Sequence, residues 1–322
     1  MGQIHPRTGF VLPLLCGKLF VVKIFVSGAA GLLGLRVVKL LLRDHHQVTA
    51  AVSSSEEVNQ IRRLGATPLK LNLFNVANVQ MAAYGQEGMV NLDSAIGSPG
   101  WKKSHAIRRA LSMNMVHAAL RNHVVRFIEE STFLHYRDGG REWVGEEAPV
   151  KGDPVSFSIR QMERNVLELE RANAVPVVLR FAAFYSADRP ETRKLLKLAR
   201  LGYYPDLEPP DGYFPRLHLD DAAAAVVHAL RAPAGVFNVA EDEPFTRRQS
   251  AKVLAQAMGR RELFPPSLWY SFFARKGDPS EKSLRLSNRK FKEATGWNPV
   301  YPSPQEGWAA ILEQAARGVG KG

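Results

Sequence analysis

Three glycines carry the clearest chemistry in this 322-residue chain. Gly28, Gly31 and Gly34 follow the apolar run 21–26 at a G-x-x-G-x-x-G spacing and open a helical pattern. At such a spacing the first glycine makes a tight turn, and the second lets backbone N–H groups approach a pyrophosphate. The third lets the helix pack closely on the strand. The positive end of that helix then faces the phosphates. The spacing points to a dinucleotide held by the backbone of Gly28, Ala30, Gly31, Leu32, Leu33 and Gly34. NAD asks for an Asp or Glu at the end of the next strand, where it bonds the ribose. That strand ends Ala51-Val52-Ser53-Ser54-Ser55, with no acid before Glu56. Ser53 and Ser54 can donate to a phosphate, and Arg36 can reach it. The reading therefore prefers NADP, with NAD as the alternative.

A second group of reactive side chains gathers after the run 125–129. Glu129, Glu130, Thr132, His135 and Tyr136 follow one another there, and Asp93 ends an earlier apolar run. Active sites of open α/β sheets lie at the carboxyl ends of strands, so these residues are candidates for one crevice. His218 reads as a packed strand-end histidine, and Asp220 with Asp221 as caps of the helix that follows.

The elements that must position these groups alternate along the chain. Strand patterns fall at 21–26, 46–52, 67–71, 89–92, 125–129 and 176–181, with helical patterns at 33–43, 56–64, 107–122 and 159–173. This alternation predicts an α/β fold, a Rossmann doubly wound parallel sheet with a smaller C-terminal substrate lobe. After Ala182 prolines gather and the rhythm loosens. A return to the sheet follows at 217–230, with a strand at 235–239 and helices at 246–258 and 305–317. The expected division is an extension at 1–21, a dinucleotide-binding domain at 22–181 plus 215–240, and a substrate lobe at 182–214 plus 241–322.

Apolar residues make up 45% of the chain and charged residues 23%, an ordinary globular composition. The net charge of +12 is spread over short clusters on helix faces, without a nucleic-acid-binding motif. The apolar stretch 10–22 is interrupted by Pro13 and Lys18 and lacks a small-residue cleavage site, so it reads as neither signal peptide nor membrane span. Cys16 is the one cysteine, which excludes an internal disulfide and a cysteine-built metal site. The expected setting is cytoplasmic, with a small-molecule substrate, no metal, no nucleic acid and no membrane. A second copy of the chain is the one protein partner entertained.

Several stretches resemble the extended short-chain dehydrogenase/reductases, the epimerase/dehydratase-like branch. Val26 to Gly34 resembles that family's T-G-A-x-G-x-x-G, and Arg126 to Thr132 its strand ending in a catalytic Ser/Thr. Val178 to Phe181 with Tyr185 is similar to L-R-x-x-x-x-Y-G, and Leu217 to Asp221 to V-H-V-D-D. Ala294 to Pro299 is similar to L-G-W-x-P, so the resemblance spans residues 22 to about 314. It implies NAD(P), a catalytic Thr132, and a Tyr and a Lys spaced Y-x-x-x-K. Those two positions fall on Phe157 and Gln161, followed by Glu163. Phenylalanine has no proton to give and glutamine no charge, so the family's redox pair is replaced. The acid pair that dehydrating members carry after the Thr is Phe133-Leu134, which argues against sugar-nucleotide dehydration.

The family's H-L-A-A becomes Asn91-Leu92-Asp93-Ser94, and its Asp-Leu after the third strand becomes Asn72-Leu73. The resemblance places Asn72, Leu73, Asn91 and Asp93 along the cofactor. Tyr136 and Tyr185 are the candidates to replace the lost phenol, with Glu130 a further catalytic candidate beside them. The expected function is an atypical NAD(P)-binding reductase acting on a small organic molecule in biosynthesis. The alternatives are a non-redox isomerase or cyclase on the same fold, or a non-catalytic NADP(H) sensor or scaffold.

Overall fold

Short apolar runs at regular spacing build one parallel sheet, seen in a computed structural model that describes residues 21–93, 101–205, 209–265 and 282–319, the side chains of 101–106 and 317–319 excepted. Residues 1–20 of the expected extension, Cys16 among them, and Ser94 lie outside the described residues. Strands β1 (Lys23–Ser27), β2 (Gln47–Val52), β3 (Thr67–Lys70), β4 (Gly88–Asn91) and β5 (Arg126–Thr132) form the first part of the sheet. After a two-residue strand, β6 (Trp143–Val144), the sheet takes up β7 (Val175–Phe181). A short β8 (Ala183–Tyr185) pairs in parallel with β9 (Arg216–His218), and β10 (Gly235–Val239) closes the sheet edge. The order across the sheet is β10-β7-β5-β4-β1-β2-β3, with every pairing parallel. The order reverses between β1 and β4, which opens a crevice at the carboxyl ends of those strands.

Alternation along each strand divides the core. Ile24, Val26, Val90 and Ile128 face helices α1 (Leu32–Arg43) and α2 (Ser55–Leu64), whose Val37, Leu41 and Ile61 meet them. Phe25, Met89 and Phe127 face the other way, onto Val79 of α3 (Val76–Ala83) and Met115 of α4 (Trp101–Arg121). The sheet is thus covered on both faces, as a parallel sheet requires. Helix α3 has no counterpart in the sequence reading. Asn75 caps it, accepting from the N–H groups of Ala77 at 3.0 Å and Asn78 at 3.3 Å.

Helix α5 (Pro154–Leu167) begins five residues before the expected Ile159. Asp153 accepts from the Ser156 N–H at 2.8 Å and Pro154 fits the first turn, so the cap overrides the weaker apolar periodicity. Helix α6 (Pro190–Arg200) follows β8. Helix α7 (Leu219–His228) packs beside α1 on the sheet. Its cap is the His218 ring, which accepts from the Asp220 N–H at 3.3 Å. Asp221 instead accepts from the N–H groups of Val300 and Tyr301, at 2.7 and 3.0 Å. The expectation that Asp220 and Asp221 cap this helix is corrected accordingly: both lie inside it, past the cap position.

A third apolar cluster joins Tyr185, Leu195, Tyr204, Leu254, Trp308 and Ile311. It draws on α6, α8 (Arg247–Ala257) and α10 (Pro304–Val319). A short α9 (Arg289–Thr295) packs Phe291 against Phe237 of β10, and β11 (Arg285–Leu286) pairs with β6. Gly307 in α10 lies directly against the Tyr185 ring, where any Cβ would overlap the phenol.

Candidate functional site

The glycine turn between β1 and α1 fits a dinucleotide phosphate. Gly28 has φ +66°, and a Cβ there would lie 2.7 Å from the Leu92 carbonyl carbon. A Cβ on Gly34 would overlap the Gly28 carbonyl and lie 2.7 Å from Ala29, so only glycine lets α1 approach this closely. Gly31 occupies the N-cap without a side-chain cap, and no acidic residue stands in the first turn of α1. Its exposed backbone leaves the first N–H groups and the positive helix end open to an anion. Ala30 and Leu32 are half-buried beside it, and Leu33 is buried against the sheet.

The ribose end differs from the sequence reading. Glu57, in the first turn of α2, folds back so that one carboxylate oxygen accepts from the Ser53 N–H at 2.6 Å and the Ser53 hydroxyl at 3.0 Å. Ser54 caps α2 by accepting from the Glu57 N–H. Arg36 is turned to two acids distant in the chain, bonding Asp220 at 2.5 Å and Asp188 at 2.9 and 3.1 Å. The three residues expected to meet a 2′-phosphate are therefore engaged elsewhere, and a carboxylate stands at the end of β2 after all. The S-x-x-E spacing of Ser54 and Glu57 was the signal for it. Across the crevice Asp93 is pushed up by burial and by the Glu57 charge. The Asn72 side chain holds its own turn through the Phe74 N–H, and the Leu73 carbonyl accepts from Asn114 of α4.

Behind the crevice runs a buried polar belt. The Ser27 hydroxyl donates to Asn91 at 2.6 Å, and the Asn91 amide donates to both Glu129 oxygens at 2.9 and 3.0 Å. Burial pushes the Glu129 carboxyl up to about 8, with Glu130 adding to it. Glu130 is buried beside Arg108, whose guanidinium is lowered by burial against the opposing charges of Glu130 and Glu129. Further along, Ser131 donates to Glu163, and Arg180 grips Glu163 through two bonds at 2.9 and 2.6 Å. Arg180 also donates to the Tyr136 hydroxyl at 2.7 Å, which donates to Asn238 at 2.8 Å.

This belt decides the fate of the candidate phenols. Tyr136 is fully buried inside it and pushed up to about 12 by burial, so it offers no proton to the crevice. Tyr185 lies in the third apolar cluster, bonded to the buried Glu241 and raised by burial and that carboxyl. Neither is the replacement phenol expected of it: both hydroxyls point into packed interior. Glu130 is likewise enclosed. His135 and His218 are buried and held neutral, each lowered to about 4 by burial. Thr132 stands at the end of β5, its hydroxyl accepting from the Leu134 N–H at 3.3 Å. Phe157 and Gln161, one turn apart on α5, share an open face. Phe157 is 56% exposed, and Gln161 reaches only to Asn165 at 3.0 Å. Among the described residues no cluster of His, Cys, Asp or Glu could hold a metal ion, and no helix is long and apolar enough to cross a membrane.

A doubly wound sheet with a glycine cradle at its switch point defines a nucleotide-binding protein. Residues 28–189 match the NAD(P)H-binding family, and the chain belongs to it. A 3-diazoavenalumate denitrifying reductase from a Streptomyces species is 24% identical over 303 residues, 88% of this chain and 98% of that protein. UDP-glucose 4-epimerase from Thermotoga maritima shares the fold with a TM-score of 0.73 at 20% identity, over 92% of this chain and 99% of the epimerase. The dTDP-glucose 4,6-dehydratase of Bacillus anthracis, solved with NAD, gives 0.73 at 14% identity, over 92% and 97%. The fold is that of the extended short-chain dehydrogenase/reductases, and its cofactor is NAD(P).

Proposed function

We propose that the chain is an NAD(P)H-dependent reductase of a small organic molecule, biosynthetic in role, that works without a phenol–ammonium pair. The observation that carries this is the face of α5 that bears the exposed Phe157 and the half-buried Gln161, the two positions at which the family resemblance implies a tyrosine and a lysine. Tyr136 and Tyr185 are buried elsewhere and do not substitute. Reducing a ketone builds charge on oxygen, and losing the proton donor costs about a hundred- to ten-thousand-fold in rate. A carbon that sheds a neutral leaving group builds no such charge. An aryldiazonium ion is the model acceptor. A hydride forms the new C–H bond, the C–N bond breaks, and dinitrogen leaves with that bond's electrons. No proton is needed. NAD(P)H, when bound, supplies the hydride. The 24%-identical relative, a denitrifying reductase of a diazo compound, supports this direction.

The chain's own residues then orient and enclose. Thr132 offers a hydroxyl to a polar group of the substrate, and Phe157 offers shape. The nucleotide favoured is NADH over NADPH, because a 2′-phosphate would face the Glu57 carboxylate. A second reading, a non-catalytic NAD(P)(H) sensor, draws on the same missing phenol. The test is to follow NADH consumption with 4-methoxybenzenediazonium above the protein-free background, beside a panel of ketones and aldehydes. Turnover of the diazonium alone, with deuterium from 4-deuterated NADH on the arene carbon, is the expected result. Brisk ketone reduction overturns the proposal, and tight nucleotide binding without turnover of either class favours the sensor.

A further inference from the structure

We propose that Arg36 serves the nucleotide without touching it, by neutralising Asp188 and Asp220, two acids that would otherwise set a negative field at the open end of α1. Arg36 lies one turn into that helix. Its Nη1 donates back to the carbonyl of Leu32, the first residue of α1, at 3.0 Å. The guanidinium is thereby fixed on the first turn, whose free N–H groups draw an anion. From there Nε donates to Asp220 at 2.5 Å, while Nη1 and Nη2 donate to the two Asp188 oxygens at 2.9 and 3.1 Å. The fork on Asp188 is bidentate, which adds geometric precision to the charge.

The two acids come from different parts of the chain and meet at this one side chain. Asp188 stands between β8 and α6, and it also accepts from the Ser186 hydroxyl at 2.6 Å. Burial works against its charge, but the bonds from Arg36 and Ser186 outweigh it and hold the carboxyl below the usual range. Asp220 stands in the first turn of α7. Both carboxylates therefore lie within one guanidinium of the first turn of α1. Left bare, they would oppose the helix end that attracts a pyrophosphate.

Other charges nearby do not take over this part. His218, 3.7 Å from Asp220, is lowered to about 4 by burial and is neutral at pH 7. Arg189, next to Asp188 in the chain, pairs with Glu191 at 3.1 Å instead. Among the described residues Arg36 is the one permanent cation paired with either acid. Its Nε, Nη1 and Nη2 all donate within the chain, so the shield acts on the pyrophosphate that NADH and NADPH share. The two nucleotides should respond to it alike.

Calorimetric titration of the full chain with NADH and with NADPH tests this. Arg36→Gln should weaken both by the same factor, about tenfold, and the loss should shrink as salt is added. Adding Asp188→Asn and Asp220→Asn to that variant should restore both affinities to within about threefold of the unaltered chain. The two asparagines with Arg36 left in place should tighten both nucleotides by about three- to tenfold, because the cation is then uncancelled. This last variant reads the proposal even if Arg36→Gln fails to fold. A loss confined to NADPH would mean that the guanidinium reaches the 2′-phosphate, and it overturns the proposal. So does unchanged affinity in Arg36→Gln, a loss that the added asparagines do not restore, or an asparagine pair that binds no more tightly than the unaltered chain.

Discussion

The phosphate cradle and the α5 face that bears Phe157 are built from different material. The cradle is backbone. Gly28 and Gly34 are there because a Cβ at either has no room, and what the cradle offers an anion is backbone N–H groups, which every residue but proline owns. The α5 face is side chain. Phe157 meets mostly water and Gln161 is half-buried with Asn165 as its side-chain partner, so a change of type there costs the fold little. A site made of backbone is locked by packing, whereas a site made of exposed side chains can change its chemistry while the fold stays. The cradle is therefore held by packing, while the α5 face is free to vary.

The comparison can be broken most directly by placing a phenol and an ammonium on α5. Phe157→Tyr with Gln161→Lys should raise ketone reduction by about a hundred- to ten-thousand-fold, with a pH profile that reports the new phenol. Steady-state rates across pH check this. If the double variant gains nothing, more than the two side chains has been lost.

The cradle is tested from the other side. Gly31→Val places a branched side chain at the open helix end, and NADH affinity should fall at least about a hundredfold while the melting temperature stays near that of the unaltered chain. Calorimetry and thermal unfolding read the two effects separately. Arg180→Ala should do the reverse: it strands Glu163 in the buried belt and should cost about 3–5 kcal/mol in urea unfolding.

Smaller effects sharpen the ribose end and the belt. Glu57→Gln should shift the NADH-to-NADPH affinity ratio by about tenfold toward NADPH, read by paired titrations. Glu129 titrates near 8 when folded against a usual value of 4.5. The folded chain therefore keeps a proton that the unfolded chain has released, and stability falls as pH climbs between those values. Glu129→Gln should flatten that slope, raising the melting temperature by a few degrees at pH 8 and leaving it nearly unchanged below pH 5.

The glycine spacing, the strand–helix alternation and the parallel sheet were legible because each follows from local rules. The glycines answer to turn geometry, and runs such as Lys23–Ser27 answer to burial on both faces. Helix α3 was missed because its signal is a single capping Asn75 ahead of an apolar stretch that is half exposed. The site was less legible wherever a side chain could point two ways. Tyr136 follows the reactive strand end in sequence, yet its phenol turns inward to Arg180 and Asn238, residues distant in the chain. Arg36 lies close to the cradle in sequence but swings toward Asp188 and Asp220. Glu57 was passed over because a carboxylate was sought on the strand, while the helix after it delivers one back.

The contact of Gly307 and Trp308 with Tyr185 also sets an order of events. As the chain leaves the ribosome, the nucleotide-binding sheet is complete once β10 has emerged, and it can close while the rest is still being made. The third apolar cluster cannot, because Tyr185, Leu195 and Tyr204 wait for α10 to arrive and cover them. Until then those side chains stand open to any passing hydrophobic surface. Helix α10 is thus the latch of this cluster, and the interval before it closes is when these side chains are most exposed to aggregation.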